Sequence, residues 1–326
     1  MEILVSSPMF AVYSPQAVAR LEARGCVLTR RPDVADEPGL TDLVRTADAW
    51  IVGLQQVTEP TLRASTRLRL VAVHGVGVDH VDVAAATQLA IPVVNTPGAN
   101  ANAVAELVIA FILALSRDVV RADAIVRSGG WAPTMVGEEI GNKTLGLVGF
   151  GAIGRRVAAL GHGLGMRVLA YNRSPVPDGL WTEVSFVTLD EVLRQSDYVS
   201  LHTALTDATR GMIGERELRL LKPGACLVNT ARGAIVDDAA LHRALTGGRL
   251  RGAALDVFSD EPPGANPLVG LPQVLVSPHL GGNTLQGFAR MSDAVVDCVL
   301  SWLDGVPPAR LVNPEVWPAY LKRWAG

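Results

Sequence analysis

Two parallel, doubly wound α/β sheets are what this 326-residue sequence predicts, and three observations carry that reading. Short β-type runs alternate with helical stretches along almost the whole chain, the pattern of βαβ units. The alternation falls into two series, separated by the turn signal Thr96-Pro97-Gly98 and a long helical stretch. The length corresponds to about two domains.

In the first series, strands are expected near Ile3–Ser6, Cys26–Thr29, Ala49–Val52 and Leu70–Val73, with helices such as Pro15–Arg24 between them. Short strands in this number suit a small flavodoxin-like sheet. One continuous helix is expected from about Asn100 to Arg127. Its Ala, Leu, Val and Ile fall nearly all round, so its own domain or a second subunit must bury it.

The second series has strands at Leu145–Val148, Arg167–Tyr171, Tyr198–His202, Ala225–Asn229, Gly252–Asp256 and Val274–Ser277. A last helix is expected over about Asn283–Leu303, and the end, rich in Pro and Trp, should pack back on the first domain. Domain breaks are expected near Asn95 and Asn283.

Composition narrows the function. With 49% hydrophobic against 19% charged residues the chain can build sizeable cores, which excludes disorder as its main state. Lys and Arg number 29 against 32 Asp and Glu, a net charge of −3, so no overall basic field draws nucleic acid or an anionic membrane. Cys26, Cys226 and Cys298 lie far apart with no CxxC spacing, so neither a disulfide framework nor a zinc site is expected. A secretory signal and a run of about 18 apolar residues are both missing, and the reading is a cytoplasmic protein acting on a small molecule.

The strand at Leu145–Val148 runs into Gly149-Phe-Gly151-Ala-Ile-Gly154, a GxGxxG turn followed at once by a helix start. Gly149 permits the tight turn, Gly151 lets backbone approach a pyrophosphate, and Gly154 allows close helix–strand packing. Ala152 and Ile153 open a helix whose N–H groups and dipole favour phosphate. A dinucleotide site is expected here. NAD enzymes normally carry Asp or Glu at the end of the next strand, whereas this chain reads Asn172-Arg173-Ser174. Neutral, cationic and hydroxyl side chains can all bond to a 2′-phosphate, so NADP is preferred over NAD. In the alternative, Arg173 stacks on adenine and Asn172 bonds a ribose hydroxyl of NAD.

Arg232, Glu261 and His279 each follow a strand or turn of the second series, where the carboxyl ends of parallel strands open into a ligand crevice. With their surroundings, these residues resemble the D-isomer-specific 2-hydroxyacid dehydrogenase family over nearly the whole chain. The resemblance rests on His74-Gly-Val-Gly-Val-Asp79, Asn95-Thr-Pro-Gly98, Val104-Ala-Glu106, the GxGxxG turn, Asn229-Thr-Ala-Arg-Gly-Ala-Ile-Val-Asp237, Asp256-Val-Phe with Glu261-Pro262, and Ser277-Pro-His-Leu-Gly-Gly282.

The resemblance implies a flavodoxin-like substrate domain, residues 1–95 and 284–326, into which the dinucleotide-binding domain, 96–283, is inserted, and NAD(P)H-dependent reduction of a small 2-oxoacid to a D-2-hydroxyacid. Arg232 would bind the substrate's carboxylate and carbonyl oxygen, His279 would be the acid–base residue, and Glu261 would hold its ring and favour its protonated form. Val76 and Gly77 would offer a backbone nest to the carboxylate, with His74 beside it. His202, Thr203, Thr230, Ala231, Asp256, His279 and Gly281 would lie along the cofactor, Asp256 at the nicotinamide amide. Family members are usually dimers through the long helix and the segment after it, where Trp131 could reach the neighbouring site. No metal is expected.

Substrate choice stays open in the sequence. Phe288 stands where hydroxypyruvate reductases commonly carry Arg, while Met9 and Phe10 suggest an apolar wall. A 3-phosphoglycerate dehydrogenase-type activity and a dinucleotide-sensing corepressor remain alternatives. Formate dehydrogenases, which share the fold, use an amide where Glu261 stands.

Overall fold

The computed structural model describes residues 1–176 and 181–324. It divides into two compact units, Met1–Asn100 with Asn283–Gly326, and Ala101–Gly282. The first unit opens with β1 (Glu2–Val5), α1 (Pro15–Glu22), β2 (Val27–Arg30), α2 (Glu37–Val44), β3 (Ala49–Val52), α3 (Glu59–Arg63), β4 (Leu70–Val73), α4 (Val83–Gln88) and β5 (Val93–Val94). The second unit begins with α5 (Ala101–Arg117), α6 (Val119–Arg127), β6 (Thr144–Val148), α7 (Ala152–Gly163), β7 (Arg167–Tyr171) and β8 (Val184–Phe186). It continues through α8 (Leu189–Gln195), β9 (Tyr198–Leu201), α9 (Glu215–Leu220), β10 (Cys226–Asn229), α10 (Asp238–Thr246), β11 (Gly252–Leu255) and β12 (Val274–Val276). The chain then returns to the first unit as α11 (Leu285–Leu303) and α12 (Trp317–Trp324).

The first sheet has the order β2-β1-β3-β4-β5, all parallel, with a topological switch between β1 and β3. Its inner strands, Ala49–Val52 and Leu70–Val73, are buried at every position, as unbroken apolar runs must be when helices cover both faces. The second sheet has seven parallel strands in the order β12-β11-β10-β9-β6-β7-β8, with its switch between β6 and β9. The sequence suggests six strands in this part. The seventh, β8, is three residues long and carries no periodicity, and packing settles it: Phe186 and Trp181 meet Phe150 edge-on, with centroids 4.9 and 5.3 Å away.

The helix expected over Asn100–Arg127 is two helices. Asp118 adopts φ +51°, a left-handed conformation that Asp tolerates better than most residues. The returning segment ends α5, since Glu138 donates its N–H to the Ser116 carbonyl at 2.8 Å. Gly137 lies so close that a Cβ would stand 2.8 Å from that carbonyl oxygen. α5 packs into the core of its own unit through Ala105, Val108, Phe111 and Ile112, whereas α6 buries no residue.

In the first unit the two chain ends share one core. Val295, Val299, Trp302 and Tyr320 pack with Ile3, Val5 and Phe10. The tail also extends the sheet edge, because Val312 donates its N–H to the Val93 carbonyl at 2.7 Å and Asn313 accepts that of Val93 at 2.8 Å.

His74 links the strands to α11: Nδ1 meets the Ser7 hydroxyl at 3.0 Å and Nε2 the Ser292 hydroxyl at 2.9 Å. Burial pushes its pKa down to about 4 from 6.5, so the folded protein keeps the ring neutral. Between those pH values the unfolded chain binds the extra proton. Stability is therefore intact above pH 6.5 and falls as pH drops toward 4. The loss should be on the order of 1 kcal/mol per pH unit, read as a falling urea midpoint between about pH 7.5 and about pH 5. His74→Gln should flatten that dependence; an unchanged slope would show that His74 is not its source.

Candidate active site

The strand-to-helix turn after β6 is built as a cradle. Gly149 has φ +104°, and a Cβ there would strike the His202 carbonyl at 2.7 Å; a Cβ on Gly154 would strike the Gly149 carbonyl at 2.4 Å. Gly151, by contrast, faces open space, with nothing within 4 Å of where a Cβ would stand. Packing thus demands the first and third glycines, while the middle one leaves room for a group approaching the first turn of α7. No side chain caps that turn at Gly151, so the N–H groups of Ala152 and Ile153 stay directed at whatever binds there.

Two enclosed polar atoms near the ends of β9 and β10, His202 Nε2 and Thr230 Oγ1, have no partner among the described residues. Enclosure lowers the His202 pKa to about 3, so the ring is neutral and can accept or donate one hydrogen bond. An open glycine turn, a bare helix N-terminus and unpaired polar atoms along the strand ends fit a dinucleotide.

Asn172 Oδ1 accepts the Phe150 N–H at 3.0 Å and Nδ2 donates to the Ser174 carbonyl at 2.8 Å, so the amide braces the glycine turn and keeps one N–H and one lone pair for a further partner. Arg173 and Ser174, just beyond β7, are exposed. Thr203 and Ala231 are half-buried at the ends of β9 and β10.

Arg232, Glu261 and His279 come together in the second unit. Asn229 wraps the turn after β10, donating to the Arg232 carbonyl at 2.8 Å and accepting from Ala231 N–H at 3.0 Å. Gly233 then passes against the loop bearing Glu261, where a Cβ would lie 2.0 Å from the Phe258 carbonyl carbon. Only glycine lets those two loops touch. The Glu261 carboxylate accepts the Phe258 N–H at 3.1 Å and meets His279 Nδ1 at 2.7 Å. Burial pushes the Glu261 carboxyl up, but the bonds from His279 and Phe258 and the charges of His279 and Arg232 outweigh it and hold the group below the usual carboxylate range. An ionised Glu261 can only accept, so Nδ1 carries its hydrogen and Nε2 is the ring atom left for proton exchange.

His279 is held in a left-handed conformation, φ +54°. Asp256, wholly buried at the end of β11, imposes it. Its carbonyl accepts the His279 N–H at 2.8 Å, and its side chain accepts from Ser277 Oγ, Leu280 N–H at 2.6 Å and Gly281 N–H at 2.7 Å. Asp256 thus caps the loop that carries the histidine, with Oδ1 accepting two bonds and Oδ2 one, which leaves Oδ2 a lone pair for a further donor. Sequence reasoning misses Ser277, although its place two residues before His279 is a signal that could have found it.

In the first unit, the N–H groups of Val76 and Gly77, after β4, have no acceptor among the described residues. Asn95 Nδ2 donates to the Val76 carbonyl at 2.6 Å, and the Thr96 N–H and hydroxyl both donate to the Gly75 carbonyl at 2.9 Å. The loop is thereby pinned by its carbonyls, and its two successive N–H groups are the donors an anion nest requires. His74, expected beside it as a substrate contact, has both ring nitrogens engaged by serines and is 7% exposed.

A cavity of about 410 Å³ lies at the opposite, amino ends of β10 and β11, lined by Cys226 and Arg251 among others, and contains none of these residues. Among the described residues no cluster could hold a metal ion, and no helix is long and apolar enough to cross a membrane.

The family model for the D-isomer specific 2-hydroxyacid dehydrogenase NAD-binding domain matches residues 109–281. A glyoxylate reductase of Thermococcus litoralis is 39% identical over 300 residues, covering 89% of this chain and 90% of that protein. One from Aeropyrum pernix is 43% identical over 290 residues, covering 85% and 86%. The crystal structure of a glyoxylate reductase from Paecilomyes thermophila superposes with a TM-score of 0.87 at 30% identity, covering 97% of this chain and 99% of that one. The chain belongs to the D-isomer-specific 2-hydroxyacid dehydrogenases, and is an oxidoreductase that uses a nicotinamide dinucleotide to reduce a 2-oxoacid to a D-2-hydroxyacid.

Proposed function

We propose that Arg232, Glu261 and His279 are the catalytic residues of this reduction and that its substrate is a small 2-oxoacid. The observation that carries the reading is the 2.7 Å contact between His279 Nδ1 and a carboxylate held ionised, which dedicates Nε2 to the substrate oxygen. The guanidinium of Arg232 binds the carboxylate and carbonyl oxygen through its planar fork of donors. In the first unit, the Val76 and Gly77 N–H groups offer a place where a carboxylate can bind. A nicotinamide dinucleotide supplies the hydride that reaches the carbonyl carbon. His279 Nε2 gives its proton to the carbonyl oxygen as the C–O double bond becomes single, and in the reverse direction takes the hydroxyl proton back. Glu261 keeps the ring oriented and offsets its positive charge.

Gly149, Gly151, Ala152, Ile153 and Gly154 would hold the cofactor's phosphates, and Asn172, His202, Thr203, Thr230, Ala231, Asp256, His279 and Gly281 would line the rest of it. Arg173 and Ser174 are exposed just beyond β7, and the stretch Asn172-Arg173-Ser174 holds no Asp or Glu, which favours the 2′-phosphate of NADP over NAD. The chain works as a homodimer in the cytoplasm. Val119, Val120 and Val126 on α6, with Trp131 at 80% and Val136 at 91% exposure, form an apolar surface that a second copy would cover.

His279→Gln should lower kcat by about 10²- to 10⁴-fold with cofactor affinity retained, measured by steady-state oxidation of NADPH and by cofactor titration. Near-normal kcat would remove His279 from the acid–base role. Arg173→Ala should cut the ratio of kcat/KM for NADPH over NADH by about 10- to 100-fold, the worth of a charge-assisted hydrogen bond. A ratio that does not move, or a native enzyme that favours NADH, would reverse the NADP assignment. Val126→Glu should shift the sedimentation coefficient toward the monomer; a native protein already monomeric at micromolar concentration would refute the dimer.

A further inference from the structure

Two neighbouring strands of the second unit each end in a buried polar side chain. Asn229, the last residue of β10, is 1% exposed, and Asp256, the residue after β11, is wholly enclosed. The two are joined through the sheet, where the Asp256 N–H donates to the Asn229 carbonyl at 3.0 Å. Polar groups enclosed so fully persist when their hydrogen bonds are satisfied. Here the satisfying partners lie in the loops that bear Arg232 and His279.

Asn229 brackets a single peptide. Its Oδ1 accepts the Ala231 N–H at 3.0 Å and its Nδ2 donates to the Arg232 carbonyl at 2.8 Å, so the bond between Ala231 and Arg232 is gripped from both sides. The Ala231 carbonyl, inside that peptide, accepts from Arg232 Nη1 at 2.8 Å. The amide of Asn229 therefore reaches the guanidinium through one rigid plane and fixes where the fork of donors stands.

Ser277 does the corresponding work in the other loop. Its N–H donates to the Leu255 carbonyl at 3.0 Å, just past the last pair of β11 and β12, and its hydroxyl donates to Asp256 Oδ1. Leu280 donates its N–H to the same oxygen at 2.6 Å. Residues 277 and 280 are thus drawn to one atom, and His279 between them takes φ +54° with Nδ1 2.7 Å from Glu261. Without the hydroxyl that oxygen keeps one donor, and a left-handed backbone loses part of what over-determines it.

We propose that Asn229 and Ser277 are positioning residues of the reduction, Asn229 setting the place of the Arg232 guanidinium and Ser277, through Asp256, that of the His279 ring. This rests on the reading of Arg232 as the group that binds the 2-oxoacid and His279 as the acid–base group, and adds the residues that aim them. The two roles separate in the kinetics. A displaced guanidinium weakens the hold on the 2-oxoacid and raises KM, whereas a displaced ring leaves binding intact and slows proton transfer, which lowers kcat. Residues that only closed a turn would cost stability and leave both constants alone.

The test measures kcat and KM for glyoxylate, hydroxypyruvate and pyruvate, with thermal unfolding and titration of NADPH binding, in Asn229→Ala, Ser277→Ala and Ser277→Thr. Asn229→Ala should raise KM by about 10- to 100-fold with kcat within a few-fold of native. Asn229→Asp, of the same shape, carries the same expectation should the alanine variant not fold. Ser277→Ala should lower kcat by about tenfold or more with KM little changed, and Ser277→Thr, which keeps the hydroxyl, should restore most of it. In the free protein the Nδ1 proton shared with Glu261 should give a far-downfield NMR signal that is absent from His279→Gln. Ser277→Ala should move or broaden that signal, and Asn229→Ala should leave it in place.

Native kcat, KM and signal in both alanine variants, whatever their melting temperatures, overturn the inference and leave the proposed function standing. The same kinetic change in both, in place of the split, overturns the assignment of one residue to each group. No turnover of any of the three substrates by the native chain, or normal turnover in His279→Gln and Arg232→Ala, overturns the proposed function and the inference together.

Discussion

The side chain of Asp256 has no contact with solvent, yet three donors of the following loop, Ser277 Oγ and the N–H groups of Leu280 and Gly281, converge on its two oxygens. A polar group buried so deeply is tolerable only when its hydrogen bonds are satisfied, and here satisfying them dictates the course of the loop. His279 takes its left-handed backbone from that course, its own N–H being drawn to the Asp256 carbonyl. A histidine would not choose φ +54° in a free loop. The ring reaches Glu261 because a buried aspartate behind it leaves the backbone no alternative.

Close approach supplies the complementary constraint. Gly233 lets the turn after β10 press on Phe258, which brings Arg232 beside the loop that carries Glu261. At the other side of the switch between β6 and β9, Gly149 and Gly154 bring a strand and a helix into contact while Gly151 stands clear. Each of these positions lies at the carboxyl end of a strand, where parallel sheets leave backbone groups pointing into a crevice. Placing His279 and Glu261 beyond such ends gives the pair a rigid base, since the strands themselves are buried at nearly every residue.

The first unit depends on a smaller network. Ser292 on α11 bonds both His74 after β4 and the strained Ala11 after β1, so one hydroxyl joins the C-terminal helix to two strand ends. Its ring neighbours Phe10, His74, Phe288 and Tyr13 continue the same contact outward until they reach solvent. His74 serves in this cluster as a packed, neutral spacer.

What the sequence by itself determined was whatever depends on short-range pattern. The α/β class follows from alternating apolar runs, and Ala49–Val52 and Leu70–Val73 are read to the residue because buried parallel strands are unbroken apolar stretches between turns. The phosphate cradle and the three candidate catalytic residues were legible for a similar reason, in that a glycine at a forbidden φ or a charged residue just past a strand leaves a local mark. Tertiary structure alone decided the break at Asp118, where a segment some twenty residues downstream takes the Ser116 carbonyl, and the strand Val184–Phe186, which three residues cannot announce. It also decided the occupations of His74, Asn172 and Asp256. A polar side chain in a loop reads as available until its partners are known, and those partners, Ser292, Phe150 and Gly281, are brought to it only by long-range packing.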